Sequence, residues 1–323
     1  MPTDITQCRV FVSPASFKLG DPGVQRLLES TVGSVVYNTT GARLSATQLK
    51  EMLKGVDGYI AGIDEVTAEV IASTDRLKVI SRYGVGVDNI DLEAARRKGI
   101  IVTNTPGANA ASVAELAIGL ALDLTRGITA AIDQTRRGGW PPITGVSLKG
   151  KTFGIVGLGA VGRELALRLK GFEVHIVAYD PFPSKEFAAA NGISLKSLDE
   201  LLAVSDLVSL HLPATDETRG MVNAGFLARM KRGAFLINTA RGELVDEEAL
   251  KRALDDGTLG GAGLDVLTDE PPLGSNPLLA DPRVIVTPHM AAHTDDAMAA
   301  MGRMATQDCL AVLRGETPSH RVV

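Results

Sequence analysis

Short apolar runs alternate with longer stretches of helical periodicity along almost the whole sequence, and this alternation leaves few possible architectures. The early runs read CRVFV, DGYIAG, LKVISRYG and GIIVTNT, and the later ones read KTFGIVGLG, EVHIVAYD, DLVSLHLP, GAFLINTARG, GAGLDVL and VIVTPH. Their apolar character is continuous, as in strands that are buried on both faces. Because strands that alternate with helices form parallel sheets covered on both sides, the pattern predicts an α/β fold.

Length and composition exclude several classes of protein. The 323 residues exceed what one hydrophobic core usually supports, so we expect two domains. A net charge of −5 gives no sign of a nucleic-acid-binding surface. The most apolar helical stretch, ELAIGLALDL, is short and carries two acids, so we expect no membrane span. With only Cys8 and Cys309, and no signal-peptide core in MPTDITQCRVFV, we expect a cytoplasmic protein.

Two long helical patterns suggest how the chain divides into domains. The first follows the turn signal NTPGAN and is expected to run as one helix from about Ala110 to Arg137. The second covers residues 294–315, and since no further strand follows it, we expect it to return to the first domain. We therefore predict an outer domain of residues 1–107 and 292–323 and an inner domain of residues 108–291.

A G-x-G-x-x-G pattern, formed by Gly157, Gly159 and Gly162, lies between a predicted strand and a predicted helix. The first glycine permits a tight turn, the second lets the backbone approach a pyrophosphate, and the third lets the helix pack closely on the strand. The next predicted strand ends in Asp180, where a carboxylate accepts hydrogen bonds from the ribose of NAD and repels the extra phosphate of NADP. An ordinary glycine turn followed by a strand-end acid is the alternative, but strand, spacing and acid together predict NAD binding.

Three chemically complementary side chains follow the later strands. Arg241 comes directly after GAFLINTA, Glu270 a few residues after GAGLDVL, and His289 directly after VIVTP. The carboxyl ends of parallel strands meet at one edge, where the nicotinamide should lie. Histidine can transfer the proton of a secondary alcohol, a nearby carboxylate favours the protonated imidazole, and arginine can grip a carboxylate. Each residue alone could be a surface ion-pair partner, but the three together predict alcohol–carbonyl redox chemistry.

The segment VIVTPHMAAHT holds two of the five histidines, His289 and His293. A metal site would require both on one helical face together with further ligands. Pro288 puts His289 at a strand-to-loop corner instead, and no cysteine accompanies the pair. We therefore expect no metal. We assign the acid/base role to His289 and treat His293 as a pocket-lining or helix-start residue.

Seven stretches together resemble the D-isomer-specific 2-hydroxyacid dehydrogenases over nearly the whole chain: SRYGVGVDNID, NTPGAN, GKTFGIVGLGAVG, HLPATDETRGMVN, NTARGELVDEEAL, GLDVLTDEPP and TPHMAAHT. The resemblance is greatest to the D-3-phosphoglycerate dehydrogenase branch, in the short form without a C-terminal regulatory domain. It implies a Rossmann NAD-binding domain inserted into a flavodoxin-like substrate domain, and a homodimer built mainly on the NAD domain. It also implies oxidation or reduction at C2 of a small 2-hydroxy or 2-oxo acid.

The resemblance also assigns residues. Arg241, Glu270 and His289 match the family's catalytic arginine, glutamate and histidine. The substrate carboxylate would be held by backbone amides of an outer-domain loop that matches Gly84, Val85 and Gly86, and Arg241 would also bind substrate. Beyond the glycines and Asp180, the implied cofactor contacts are Ala160, Val161, Leu212, Thr239, Ala240 and Asp265, the last beside the nicotinamide.

One departure from the phosphoglycerate dehydrogenases bears on the substrate. Those enzymes usually carry an arginine and a lysine for the phosphate in an outer-domain loop that here reads AGIDEVTAEV, with Asp64 and Glu65 and no cation. Arg82 could partly compensate. Unphosphorylated acids such as hydroxypyruvate or glyoxylate therefore compete with D-3-phosphoglycerate as candidates. A non-enzymatic NAD(H)-sensing scaffold on the same fold is the alternative from another class, and the presence of all three catalytic-type residues argues against it.

Overall fold

The computed structural model describes residues 4–323, so the first three residues of the expected outer domain, and of the N-terminal segment that we expect not to be a signal peptide, lie outside the described residues. The strands, β1 to β12 in chain order, are Arg9–Val12, Ser34–Tyr37, Gly58–Ala61, Val79–Arg82, Ile101–Thr103, Thr152–Val156, His175–Tyr179, Ser194–Leu195, Leu207–Leu210, Ala234–Asn238, Leu259–Leu264 and Val284–Val286. The helices, α1 to α12, are Pro22–Thr31, Ala46–Met52, Ala68–Ser73, Leu92–Lys98, Ala110–Arg126, Ile128–Arg136, Ala160–Leu169, Lys185–Ala190, Leu198–Val204, Ala224–Arg229, Glu247–Asp255 and Asp295–Leu313.

The strands form two parallel sheets, which confirms the predicted α/β class. The first has five strands in the order β2-β1-β3-β4-β5, which is the flavodoxin-like order. The second has seven in the order β12-β11-β10-β9-β6-β7-β8, which is the doubly wound Rossmann order with one additional strand. Every pairing between these strands is parallel. The ends that carry the predicted site residues therefore lie at the same edge within each sheet.

The chain divides into two compact units. The first contains Met1–Asn109 and Ala292–Val323, and the second contains Ala110–Ala291. In the first unit α12 packs against α1 and against β3, β4 and β5, so the C-terminal helix completes the cover of the five-stranded sheet. Within the described residues, no helix has both the length and the apolar character needed to cross a membrane.

The helix predicted from about Ala110 to Arg137 is two helices, and this correction has a simple cause. Gly127 separates α5 from α6 and has a φ of 60°, in the left-handed region where glycine carries no steric penalty. Its amide donates to the carbonyl of Asp123 at 2.7 Å, which closes the last turn of α5. The chain therefore leaves α5 in a new direction, and α6 buries none of its residues in its own unit.

Candidate active site

The glycine loop between β6 and α7 has the shape of a phosphate cradle. A Cβ on Gly162 would lie 2.1 Å from the carbonyl oxygen of Gly157, so only glycine allows the helix to start this close to the strand. A Cβ on Gly159 would meet nothing within 4 Å, and no side chain caps α7. Ala160 is exposed and Val161 half-buried at the start of this helix. An open, uncapped helix N-terminus provides amides for a pyrophosphate, so the loop fits NAD.

Asp180 follows β7 and is held beside this loop. One carboxylate oxygen accepts a hydrogen bond from the amide of Leu158 at 2.7 Å, and the other accepts one from the amide of Phe182 at 2.7 Å. Because Leu158 belongs to the glycine loop, the carboxylate has a fixed position relative to the phosphate cradle. This geometry fits the ribose-binding role that the sequence predicts for Asp180.

Further predicted cofactor contacts follow β9 and β10. The side chain of Leu212 lies 3.0 Å from the position a Cβ would take on Gly157, so it packs on the glycine loop. Thr239 is 7% exposed, and its hydroxyl has no hydrogen-bond partner within residues 4–323. The amide of Ala240 donates to the side chain of Asn238 at 3.0 Å. A buried hydroxyl without a protein partner at this edge is consistent with a polar group of the cofactor binding there.

His289 and Glu270 form a hydrogen-bonded pair. Nδ1 of His289 lies 2.7 Å from Oε2 of Glu270, and the two side chains are 41% and 34% exposed. Burial raises the pKa of Glu270, but the hydrogen bond from His289, the amide of Leu267 and the charges of His289 and Arg241 outweigh burial and lower it overall. Glu270 is therefore an anion at neutral pH, and it stabilises the protonated imidazole.

Arg241 belongs to the same cluster in the second unit. Asn238 ends β10 and donates through its side chain to the carbonyl of Arg241 at 2.7 Å, which fixes the backbone there. A Cβ on the next residue, Gly242, would lie 2.1 Å from the backbone of Leu267, so glycine lets this loop pack directly on the loop that carries Glu270. The three residues predicted to be catalytic thus follow the neighbouring strands β10, β11 and β12 at one edge of the sheet.

Asp265 holds the turn on which His289 lies. Its side chain is fully buried, and it accepts hydrogen bonds from the hydroxyl of Thr287 at 2.6 Å and from the amides of Met290 and Ala291, each at 2.9 Å. Its carbonyl accepts a bond from the amide of His289 at 2.9 Å. His289 has a φ of 50°, which is uncommon for a residue other than glycine. These hydrogen bonds of Asp265 were not predicted from sequence, although a buried carboxylate inside the run GLDVL needs donors around it.

Two other histidines, His211 and His293, lie outside the cluster of Arg241, Glu270 and His289. Nε2 of His211 lies 2.9 Å from the hydroxyl of Ser209, and burial lowers the pKa of His211 to about 3, so its ring is neutral. His293 belongs to the first unit and is exposed. It directly precedes Thr294, which caps α12 by accepting a bond from the amide of Ala297 at 3.3 Å, so its helix-start position is confirmed.

In the first unit, the loop predicted to bind the substrate carboxylate follows β4. Gly84 has a φ of 147°, and a Cβ there would lie 2.7 Å from the guanidinium of Arg82. That guanidinium donates to the carbonyl of Tyr83. Val85 is 39% exposed and Gly86 follows it on the surface of this unit. The loop is therefore a tight glycine turn packed on the arginine that precedes it.

The two acids of residues 61–65, Asp64 and Glu65, both form polar contacts within the first unit. Asp64 is 3% exposed and accepts bonds from the amide of Leu44 at 2.7 Å and from the hydroxyl of Tyr59 at 2.9 Å. Glu65 forms an ion pair with Arg43, with 2.8 Å between the charged atoms. Arg43 was not anticipated from sequence, because it is distant along the chain. Its charge is balanced by Glu65, so this loop presents no excess positive charge.

Comparison with known proteins shows what this chain is similar to. The profile of the family described as "D-isomer specific 2-hydroxyacid dehydrogenase, NAD binding domain" matches residues 118–291. The chain is 43% identical over 272 residues to a D-3-phosphoglycerate dehydrogenase of Archaeoglobus fulgidus, covering 82% of this chain and 52% of that protein. It is 40% identical over 314 residues to a glyoxylate reductase of Thermofilum pendens, covering 92% of this chain and 90% of that protein.

The solved structures agree as well. The D-lactate dehydrogenase from Aquifex aeolicus, crystallised with NAD and lactic acid, superposes with a TM-score of 0.84 at 29% identity, covering 98% of this chain and 99% of that one. The chain spans about half the length of the archaeal phosphoglycerate dehydrogenases that it matches, at 52% and 53%. It spans most of the length of the glyoxylate reductase from Thermofilum pendens, at 90%.

Proposed function

The chain belongs to the D-isomer-specific 2-hydroxyacid dehydrogenase family and carries its NAD-binding domain, and from that premise we propose that it transfers a hydride between NAD and C2 of a small 2-hydroxy or 2-oxo acid. The observation that carries this proposal is the His289–Glu270 pair, with 2.7 Å between its nitrogen and oxygen, at the strand edge that also holds Arg241 and the glycine loop. A scaffold that only senses NAD(H) has no use for such a pair.

The side chains divide the chemistry between them. Bound NADH supplies the hydride. Since Nδ1 of His289 is engaged by Glu270, Nε2 is the atom that holds the proton and gives it to the carbonyl oxygen during reduction. Glu270 balances the charge of the protonated ring, and Arg241 polarises the substrate carbonyl. By the family resemblance, the amides of the Gly84–Gly86 loop bind the substrate carboxylate.

The substrate is proposed to be unphosphorylated. Residues 61–65 contribute two acids and no cation, and the charge of Arg43 is balanced by Glu65. We expect hydroxypyruvate or glyoxylate to be reduced with a kcat/KM at least equal to that of 3-phosphohydroxypyruvate. The measurement is a panel of 2-oxo acids assayed with NADH. An advantage of several orders of magnitude for the phosphorylated acid would contradict the proposal, and Arg82→Ala and Arg43→Ala would then identify its cation.

The same panel separates the enzyme from the scaffold. An NAD(H)-sensing scaffold would bind NADH without oxidising it in the presence of any acid of the panel. Turnover of one 2-oxo acid that disappears in the Arg241→Ala variant, with NADH binding retained, supports the enzymatic proposal. The absence of turnover with every acid would favour the scaffold.

The cofactor is proposed to be NAD(H) in preference to NADP(H), because Asp180 presents a carboxylate beside the glycine loop. A charge pair a few ångströms apart near a protein surface is worth on the order of 1–4 kcal/mol, so Asp180→Ala should narrow the preference roughly tenfold or more. The measurement is the ratio of kcat/KM for NADH and NADPH. Asp199→Ala, which removes an exposed acid paired with Arg229 in the same unit, is the control. Equal use of both cofactors by the unmodified protein would refute the assignment.

A homodimer through the NAD-binding unit is the proposed assembly. Helix α6 buries none of its residues, and it presents Ile128 and Ile132, 45% and 44% exposed. The segment after it has no regular secondary structure and presents Trp140, 86% exposed. Exposed apolar side chains that lie close together along the chain suggest a protein-binding surface, called here the α6 surface: Ile128, Ile132 and Trp140. A second copy of the chain is the partner that the family resemblance favours.

Trp140→Asp, alone or with Ile132→Asp, should therefore convert a dimer into a monomer, because a charge would be buried against an apolar partner surface. Sedimentation equilibrium measures the mass directly. Phe182→Asp is the control, because Phe182 is also an exposed aromatic residue of the same unit, at 93%, but is not part of the α6 surface. A monomeric unmodified protein, or a dimer that survives both changes, would refute this surface.

A cytoplasmic location is also proposed. Cys8 and Cys309 are both buried and free, which agrees with a reducing compartment. Burial raises the pKa of Cys309 to about 12, so its thiol is unreactive in the folded protein.

A further inference from the structure

The C-terminal segment pairs with the edge strand of the first unit. The amide of Val322 donates to the carbonyl of Val102 at 2.7 Å, and the amide of Val102 donates to the carbonyl of Val323 at 3.2 Å. Thr103 and Arg321 form an antiparallel bridge. The segment thus runs along β5 on the side opposite β4 and satisfies backbone groups that an edge strand otherwise exposes.

A buried carboxylate fixes where this segment begins. Asp308 lies on α12, is 2% exposed, and accepts hydrogen bonds from the amide of Ser319 at 2.7 Å and from Nδ1 of His320 at 2.8 Å. The carbonyl of His320 in turn accepts a bond from the amide of Asn104 at 3.2 Å. The backbone of Asn104, which follows β5, is therefore tied through His320 to the core of the unit.

Asn104 and Thr105 donate hydrogen bonds to two carbonyls of the Gly84–Gly86 loop. The side chain of Asn104 donates from Nδ2 to the carbonyl of Val85 at 2.7 Å. The amide of Thr105 donates to the carbonyl of Gly84 at 3.0 Å. These two hydrogen bonds therefore fix the carbonyl oxygens of Gly84 and Val85 on the side of the residues that follow β5.

Because the peptide group is planar, fixing its carbonyl oxygen also fixes the direction of its N–H. In a trans peptide the N–H points away from the C=O, so fixing the oxygen of Gly84 orients the amide of Val85, and fixing the oxygen of Val85 orients the amide of Gly86. Among the hydrogen bonds of residues 4–323, neither of these two amides has an acceptor. Two neighbouring amides directed to the same side form a binding site for one anion.

We propose that Asn104 is a positioning residue for substrate binding, which aims the amides of Val85 and Gly86 at the substrate carboxylate and is itself held by the C-terminal segment through His320. The inference rests on the proposed function, because it assigns the carboxylate of a 2-oxo acid to this loop. It adds a residue that does not touch the substrate and a role for residues 319–323, which cover β5.

The first test is Asn104→Ala in the protein of residues 1–323. Loss of one neutral hydrogen bond should raise the KM of the 2-oxo acid about 3- to 10-fold and leave kcat and the Kd of NADH within about twofold. Asn104→Asp should raise it further, because an acceptor then faces the carbonyl of Val85. The control is Asn191→Ala, which removes an equivalent bond from an asparagine side chain to the carbonyl of Phe187, 2.8 Å long. An unchanged KM in Asn104→Asp would overturn the proposal.

The role of the C-terminal segment is tested by a double-mutant cycle. Asp308→Ala should also raise the KM, because the segment loses its anchor and Asn104 loses its backbone partner. Combined with Asn104→Ala, it should raise the KM by less than the product of the two single effects, since both act through one bond to the loop. If the KM increases of the two single variants multiply in the double variant, the C-terminal segment does not act through Asn104, and that part of the proposal is wrong.

Hydrogen exchange keeps this result separate from the proposed function. In Asn104→Ala, amides of a peptide covering residues 83–87 should exchange faster than in the unmodified protein and in Asn191→Ala. If the unmodified protein reduces no 2-oxo acid, the proposed function fails, and exchange alone decides whether Asn104 orders the loop. Unchanged exchange at this peptide would overturn the positioning role whether or not the protein is active.

Discussion

His289→Ala is expected to lower kcat by about 10²- to 10⁴-fold in both directions while NADH binding stays nearly intact. Nδ1 of His289 bonds to the carboxylate of Glu270 at 2.7 Å, which leaves Nε2 as the nitrogen for the proposed proton exchange with substrate. His293→Ala is the matched control. It removes an exposed histidine before the N-cap of α12 and should act mainly on KM.

Single-turnover hydride transfer in both variants is the decisive measurement, because it isolates the chemical step from product release. If His293→Ala abolishes hydride transfer and His289→Ala retains it, the assignment of the acid/base role to His289 is wrong. Comparable losses in both variants would contradict the assignment of the acid/base role to His289 alone.

The pH dependence of reduction is expected to depend on the contact between His289 and Glu270. The lowered pKa of Glu270 keeps it charged throughout the neutral range, and that charge is lost only as the pH falls through a value below the ordinary one for glutamate. Above that point Glu270 favours the protonated imidazole that reduction requires. Glu270→Gln removes this support, so reduction should fail at a lower pH than in the unmodified protein. A pH–rate profile with an unmoved upper limit would contradict the role of Glu270.

Asp265→Asn is the second substitution with a large expected effect. It replaces one acceptor oxygen with an amide group, which then faces a backbone N–H of the turn at Met290 or Ala291. A buried donor left without an acceptor costs about 1–3 kcal/mol, so the turn should lose its left-handed conformation at His289. We expect kcat to fall about 10- to 100-fold, since displacement of a positioned catalytic group by about 1 Å has effects of that order.

The control for Asp265 is Asp281→Asn in the same unit. Asp281 is 7% exposed, and its hydrogen bonds with Arg283, against a smaller effect of burial, lower its pKa to about 2. Its loss should therefore reduce the free energy of unfolding without changing kcat. Stopped-flow rates at saturating NADH, together with thermal unfolding, separate the two effects. Normal kcat with weakened NADH binding in Asp265→Asn would assign the carboxylate to the nicotinamide instead of the turn.

Local and periodic signals were sufficient for much of the fold. The continuous apolar runs predict the central strands of both sheets because those strands are buried on both faces. They miss β2 and β8, which lie at sheet edges and have mostly half-buried or exposed side chains, so their sequences carry little apolar signal. Gly119 and Gly127 both interrupt a helical pattern, yet only Gly127 ends a helix, and its left-handed φ is not readable from sequence.

Some residues of the candidate site were also predicted from sequence, and others were not. Arg241, Glu270 and His289 were predicted because each follows a recognisable strand, and parallel strands bring their carboxyl ends to one edge. The hydrogen bonds of Asp265 and Asn104 were not predicted, because each links segments whose distance in space depends on strand register and loop shape. The candidate catalytic residues can therefore be predicted from sequence more readily than the residues that hold them in place.

The left-handed backbone at residue 289 has an evolutionary consequence. Glycine adopts a φ of 50° more easily than histidine does, so position 289 is one at which glycine would suit the chain's conformation better. Selection for folding alone would thus draw this position away from histidine, and under the proposed acid/base role selection for turnover would oppose that change. Descendants that have given up catalysis should lose the imidazole early while keeping Asp265, whose hydrogen bonds serve the turn whichever side chain it carries.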